Sequence, residues 1–343
     1  MHINTLRRLA AVTVPVTALA VFLPSSQTTL GTAAGSGKLL PDLASKLGNG
    51  ATLTITSASG KVTLRHTSDT PGQGWVLADK GGYPVDAAKL KPILTGLTDL
   101  RGVAPKTARP ALYSRLDLND PGPGSVAHGV ALTSATGAPL GSVILGRVKS
   151  DFASGGHDEI YARVPGQDQT WLATPSITFP YAALDWIDRG VINLPADDIK
   201  QVTVTPKSAT QSLPPFTLSR AKPGDKLALQ DLPAGAKPKS DTAGTEVANA
   251  LGGLTLEDVK PASQLSGQPD ATLHAATFAG LTVDLTATKQ DGKIWITVAA
   301  SGAKPADDIT ARTKGWAYEV ADGTATSLET KLADLITVPA GKK

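Results

Sequence analysis

Five histidines, His2, His66, His128, His157 and His274, are the side chains best suited to holding a transition metal or moving a proton near neutral pH. No two stand three or four residues apart, so no single helix face carries a pair of imidazoles. His157-Asp158-Glu159 is the densest group of metal-ligand types, but it follows Ser154-Gly-Gly156 and reads as a loop tip. The adjacent carboxylates Asp197-Asp198 and Asp307-Asp308 are of the type that binds hard cations. Each pair follows Pro-Ala at the start of an expected element, where helix capping or simple solvation accounts for it.

Two glycine patterns suggest phosphate chemistry and fail on detail. Gly35-Ser-Gly-Lys38 lacks the phosphate-loop spacing, and Leu39 stands where a magnesium-binding hydroxyl belongs. Gly122-Pro-Gly124-Ser-Val-Ala127 leads into an expected strand, so no helix amino terminus awaits a pyrophosphate. There is no Gly-x-Ser-x-Gly elbow, and no serine has a histidine at a spacing that suggests a triad. We therefore expect no catalytic residues, no cofactor and no metal. The tryptophans Trp75, Trp171, Trp186, Trp295 and Trp316 are expected to anchor the core or a module interface. One segment stands out as a candidate partner-binding turn: Lys80-Gly-Gly-Tyr-Pro-Val-Asp86, with Lys80, Tyr83 and Asp86 as its candidate residues.

Composition narrows the classes further. The chain has no cysteine, which excludes disulfides, thiolate nucleophiles and zinc-thiolate sites. Beyond the first thirty residues, 31 basic side chains face 30 acidic ones, since Arg7 and Arg8 account for two of the 33. That balance argues against a nucleic-acid grip, which needs a concentrated basic face.

The elements that position these residues come from hydrophobic spacing. Leu90, Ile93, Leu94 and Leu97 predict a helix capped by Asp86, with a kink or late start at Pro92. The spacing recurs at Val247, Ala250, Leu251 and Leu254, and Leu100-Arg-Gly-Val-Ala-Pro105 is echoed by Leu256-Glu-Asp-Val-Lys-Pro261. Alternation predicts strands around Leu53-Thr-Ile55, Val62-Thr-Leu64 and Trp75-Val-Leu77, with Val202, Val204 and Phe216-Thr-Leu218 as their downstream counterparts. Two hairpins follow. One lies across Ser134 to Pro139, and the other turns at Asp291-Gly292 between 283–287 and 294–298. Ile160-Tyr-Ala-Arg163 is matched to Trp316-Ala-Tyr-Glu-Val320, and Leu184 to Ile187 and Leu328 to Leu335 read as closing helices. The expected fold class is α+β: two tandem repeated modules, 38–195 and 196–343, each a mostly antiparallel β-sheet with one main helix packed on a face.

Arg7-Arg8 precede an apolar run from Leu9 to Leu23 that Pro24 closes. The run is short for a spanning helix and fits the apolar region of a secretory signal. Residues 1–24 are thus expected to be a signal peptide or an amino-terminal membrane anchor, and 25–37, rich in Ser, Thr, Gly and Ala, a flexible tether.

Trp75-Val-Leu-Ala-Asp-Lys-Gly-Gly-Tyr-Pro-Val-Asp86, Pro105-Lys-Thr-Ala108, Leu112-Tyr-Ser-Arg-Leu116, Leu184-Asp-Trp-Ile-Asp-Arg189 and Lys38-Leu-Leu-Pro-Asp-Leu43 together resemble the DUF4340 family of exported bacterial proteins. The resemblance covers most of 38–195 and more weakly the second half. It implies one amino-terminal membrane segment and association with auxiliary components of ABC-type transporters, and it brings no catalytic residues. This chain departs from the family in its short, interrupted apolar run. The function expected from all of this is a non-enzymatic exported binding or scaffold protein, periplasmic and either anchored to the cytoplasmic membrane or released from it, accessory to an ABC-type system. An envelope hydrolase or carbohydrate-binding module whose site forms only in three dimensions is the alternative, and a plain structural spacer the third reading.

Overall fold

Alternating apolar and hydroxyl-bearing residues make the strand the commonest element among the described residues. The computed structural model describes residues 37–48, 51–68, 74–150, 158–207 and 214–338. The expected signal or anchor at 1–24 lies outside these residues, as do His2, His157 and the tether up to position 36. Among the described residues no helix is long and apolar enough to cross a membrane.

After a single helical turn, α1 (Leu43–Lys46), the first sheet is built from β1 (Thr52–Ser57), β2 (Gly60–His66), β3 (Trp75–Leu77), β4 (Tyr83–Pro84), β5 (Arg101–Pro105), β6 (His128–Thr133), β7 (Pro139–Lys149), β8 (Glu159–Arg163) and β9 (Thr170–Thr174). Its spatial order is β4-β3-β2-β1-β6-β7-β8-β9-β5. Helix α2 (Ala87–Asp99) lies between β4 and β5 in the chain. A short strand β10 (Gly190–Ile192) then leads to the second sheet. That sheet contains β11 (Ile199–Pro206), β12 (Phe216–Ser219), β13 (Ala228–Leu229), β16 (Asp258–Pro261), β17 (Ala271–Thr277), β18 (Leu281–Gln290), β19 (Lys293–Gly302) and β20 (Trp316–Glu319). Between them come β14 (Lys237–Pro238), α3 (Thr245–Asn249) and β15 (Leu254–Thr255), and the described chain closes with α4 (Ala306–Thr313), α5 (Asp322–Leu328), α6 (Leu332–Leu335) and β21 (Ile336–Thr337). The second order is β13-β12-β11-β17-β18-β19-β20-β16, which reproduces the first once β4 is set aside. Every pairing among these strands is antiparallel, so the protein is α+β with antiparallel sheets.

Several local expectations hold. The Asp86 carboxylate accepts from the Ala88 amide at 2.9 Å and caps α2. Leu90, Ile93, Leu94 and Leu97 are buried along one face of α2, each contributing about 1.5–3 kcal/mol by removal from water. Asp291 and Gly292 both take positive φ, 54° and 78°, and Gln290 pairs with Lys293, which is the type I′ hairpin the sequence signals.

Other expectations are corrected. Pro92 neither delays nor ends α2; it sits inside a helix that starts at Ala87. The downstream helix is only five residues long. Gly252 and Gly253, the latter at φ 73°, stop it, and Leu254 serves in β15, paired with β10. Phe216-Thr-Leu218 occupies the second strand position of its sheet rather than that of Trp75-Val-Leu77, which β13 takes. Likewise β20 sits where β9 does and not where Ile160-Tyr-Ala-Arg163 does, because two strands, β9 and β17, were not anticipated. Ala271, Leu273 and Ala275 are the buried side of β17. Two of those three are alanines, so the alternation is faint in sequence.

Backbone pairing also crosses position 195/196. β10 pairs with β15, Leu194 donates its amide to Leu251 O at 2.9 Å, and Arg189 O accepts from Leu256 N at 2.9 Å. Earlier in the chain, Lys38 bridges Arg101 and Leu39 donates to Leu100 O at 2.9 Å, the same arrangement at the start of the first sheet. One buried cluster runs from Leu40 to Ile336 through both sheets, so the halves share a core.

Candidate functional site

The turn from Lys80 to Asp86 begins as a 3₁₀ turn, Ala78–Lys80, held to β2 by the Asp79 carboxylate, which accepts from Thr63 N at 3.0 Å. Gly81 and Gly82 follow at φ 66° and 87°, a conformation that glycine adopts without strain. Gly81 has a second reason to be glycine: a Cβ there would lie 2.5 Å from Pro261 Cγ, in the second sheet.

The rest of the turn meets the same surface. Lys80 Nζ is 2.6 Å from Asp258 Oδ1, with both side chains largely covered. The Tyr83 ring stands edge-on to Trp316, with centroids 4.9 Å apart, and lies 6.2 Å from Tyr318. The Tyr318 hydroxyl donates to Arg312 O at 3.4 Å, and burial is the main cause that raises both phenols above their ordinary range. Arg312 beside them donates to Val191 O at 3.0 Å. Asp86 stands apart from this group; it caps α2, and its amide donates to Trp186 O at 2.8 Å. Of the three candidate residues, Lys80 and Tyr83 are therefore brought together and Asp86 is not. Within the chain this turn forms part of a seam between the two sheets, where the buried tyrosine and the paired lysine have partners.

The remaining polar candidates have structural roles. Asp197 stands 3.7 Å from the buried Arg220, which also donates to the carbonyls of Ile199, Asp225 and Ala196. Asp307 and Asp308 fall in the first turn of α4, where a helix dipole favours acidic groups. Glu159 pairs with Lys149 at 3.3 Å. Among the described residues no three His, Asp or Glu side chains converge. Trp75 and Trp186 are buried in the core, Trp316 lies at the seam, and Trp295 is buried beneath Lys260 Nζ, 3.8 Å from its ring centre. The Trp186 indole N–H is buried without a hydrogen-bond partner among the described residues.

The described histidines lie apart. His66 stacks on Trp75 with centroids 4.9 Å apart and is buried. His128 stacks on Phe179, and burial lowers its pKa. Among the described histidines, His274 makes a constellation that sequence spacing missed. Its Nδ1 lies 2.7 Å from Asp284 Oδ1 on the neighbouring strand, and Thr203 stands opposite it on the other side. Thr203 in turn bonds Thr217, hydroxyl to hydroxyl at 3.0 Å. The row crosses β12, β11, β17 and β18 on the outward side of the second sheet. It offers hydrogen-bond donors and acceptors to a polar ligand. Its sequence signal was the alternation of Thr272, His274 and Ala276, which becomes meaningful only once β17 is recognised.

Two antiparallel sheets in one strand order, locked by a Lys-Gly-Gly-Tyr-Pro turn, define a two-sheet α+β protein. Residues 75–274 match the family described as a domain of unknown function, DUF4340, and the chain belongs to that family. The match begins at β3 and ends in β17, so it straddles the seam where the sequence resemblance was centred on the first half. No curated protein matches the chain.

Proposed function

We propose that this protein is a non-catalytic binding or scaffold protein, exported to the outer face of the cytoplasmic membrane and accessory to an ABC-type transport system. We also propose that its two sheets are copies of one module. The observation that carries the scaffold reading is the single core shared by both sheets, because a body built that way holds its outer surfaces at a set separation. The matching strand orders and the matching closing segments support the duplication. In those segments Asp185 and Asp334 each accept from the amide three residues before them, at 3.0 and 3.1 Å. The export reading rests on Arg7-Arg8 and the apolar run after them, and the transporter association rests on the family context.

The test is in vivo crosslinking with membrane fractionation and mass spectrometry of the mature amino terminus. We expect co-purification with transporter components, and reproducible recovery of the chain alone in the cytosol overturns the proposal. One observation favours the alternative of an envelope hydrolase or carbohydrate-binding module, namely the outward row Thr217, Thr203, His274 and Asp284. If that reading holds, His274→Ala abolishes saccharide binding or hydrolysis while leaving transporter crosslinks intact.

A further inference from the structure

The two sheets share a strand order but finish the same edge differently. In the first, β3 carries β4 on its outer side, with Val76 opposite Pro84 and Leu77 opposite Tyr83. In the second, the strand at that place is β13, and no described strand lies beyond it. Lys237-Pro238 of β14, the X-Pro pair that follows β13 as Tyr83-Pro84 follows β3, is paired with β21 instead.

The ladder fixes which backbone groups this leaves outward. Gln230 donates to Thr217 O at 2.8 Å, one step beyond the Leu218–Leu229 register. That pair is therefore the non-hydrogen-bonded kind, and the amide and carbonyl of Leu229 point away from β12. Leu77 stands in the same relation to Leu64, and its outward carbonyl accepts from Gly82 N at 3.1 Å in the turn that brings β4 alongside. The side chains record the difference: Leu77 is 0% exposed beneath its cover, whereas Leu229 is only half-buried and Ala228 is exposed.

We propose that the outer edge of β13 binds an extended segment of a partner protein, an aromatic residue followed by proline, added as a strand in the way β4 is added to β3. The aromatic side chain falls opposite Leu229 and covers it, as Tyr83 covers Leu77. The proline falls opposite Ala228, where the incoming residue's nitrogen faces away from the sheet and a missing N–H costs no ladder bond. A short edge strand usually protects against such pairing. Here β3, only three residues long, already carries β4. A second copy of this chain does not supply the segment, because Tyr83-Pro84 is committed to its own seam and Phe179, which also precedes a proline, is buried against His128. The inference rests on the shared strand order and not on where in the cell the protein works.

The experiment is hydrogen exchange on the full-length chain, read at single amides, with and without a synthetic heptapeptide Lys-Gly-Gly-Tyr-Pro-Val-Asp as the probe strand. Saturating peptide is expected to slow exchange at Leu229 about tenfold and leave Leu77 unchanged. A peptide with alanine in place of its tyrosine, or with a methylated tyrosine amide, is expected to have no effect. Two results overturn the proposal. One is a Leu229 amide as protected as that of Leu77 before any peptide is added, which shows that another part of the chain fills the edge. The other is exchange at Leu229 that the peptide leaves unaltered.

Discussion

The outward faces of the two sheets are treated in opposite ways. On the first, residues 106–127 form a lobe whose Tyr113, Leu118 and Ala127 pack with Ile144 of β7 into a second, smaller core. Arg163 lies buried there, donating to Leu118 O and to Asp120 at 2.7 Å, with its guanidinium 4.6 Å from the Tyr113 ring centre. Glycines make room for the lobe: a Cβ on Gly129 would lie 2.6 Å from Pro121, and one on Gly146 2.3 Å from Leu116 O. On the second sheet, the corresponding connection is only residues 262–270, and the row containing Thr203, His274 and Asp284 stays at the surface. One strand order thus supports a sheet whose outer face is partly covered by a lobe and a sheet without one. The added mass of the second half, α4, goes to the shared core, where Ala306 and Ile309 are buried.

The largest effect should come from the seam that joins the two. Tyr83→Ala removes a buried ring from between the sheets and is expected to cost about 3–5 kcal/mol. Urea unfolding followed by tryptophan fluorescence should still show one transition, because the core is continuous, and two separated transitions would show that the halves fold independently.

Next come the glycines. Gly146→Ala pushes into the lobe's backbone and should cost about 1–3 kcal/mol, whereas Ala299→Ser on the open face should stay within about 0.5 kcal/mol. Equal costs, measured by chemical denaturation, would mean that the two faces are equally covered. At the seam, Gly81→Ala should be worse than Gly82→Ala, since both have positive φ but only Gly81 faces Pro261.

Alkaline titration separates seam from sheets. Tyr83 and Tyr318 have raised pKa values in the folded chain, so their contribution is fully present below the ordinary tyrosine value of about 10 and is lost as pH rises beyond it. Tyr318→Phe should flatten that loss in thermal melts. His128, lowered by burial in the first sheet, acts at the other end: its contribution is present above about pH 6.5 and declines below it. His128→Gln should remove that acid-side slope, and an unaltered slope would assign it elsewhere.

The smallest expected effect compares ion pairs. A double-mutant cycle on Lys80 and Asp258, both largely covered, should give about 1 kcal/mol of coupling, while Lys226 and Asp241, both exposed, should give about zero. Equal coupling would mean that the seam is more solvated than its geometry implies.

Local signals in this sequence were strong enough to read alone. Leu90, Ile93, Leu94 and Leu97 specify a helix face by spacing, Asp86 its start, and Asp291-Gly292 a hairpin, since each depends only on neighbours a few residues away. The α+β class followed from those elements. Where an element needed a distant partner, the sequence was silent or misleading. Leu254 has helical spacing from Val247 but serves in β15, because β10 offers its backbone a ladder and two glycines release it from the helix. β17 was hidden by its alanines and appears only between β11 and β18. Nothing local to Lys80 and Tyr83 shows that Asp258, Pro261, Trp316 and Tyr318 come to meet them. The sequence determined which short segments are helix, strand and turn. Tertiary structure decided which of their faces and edges are covered, because burial depends on residues far apart in the chain that only folding brings into contact.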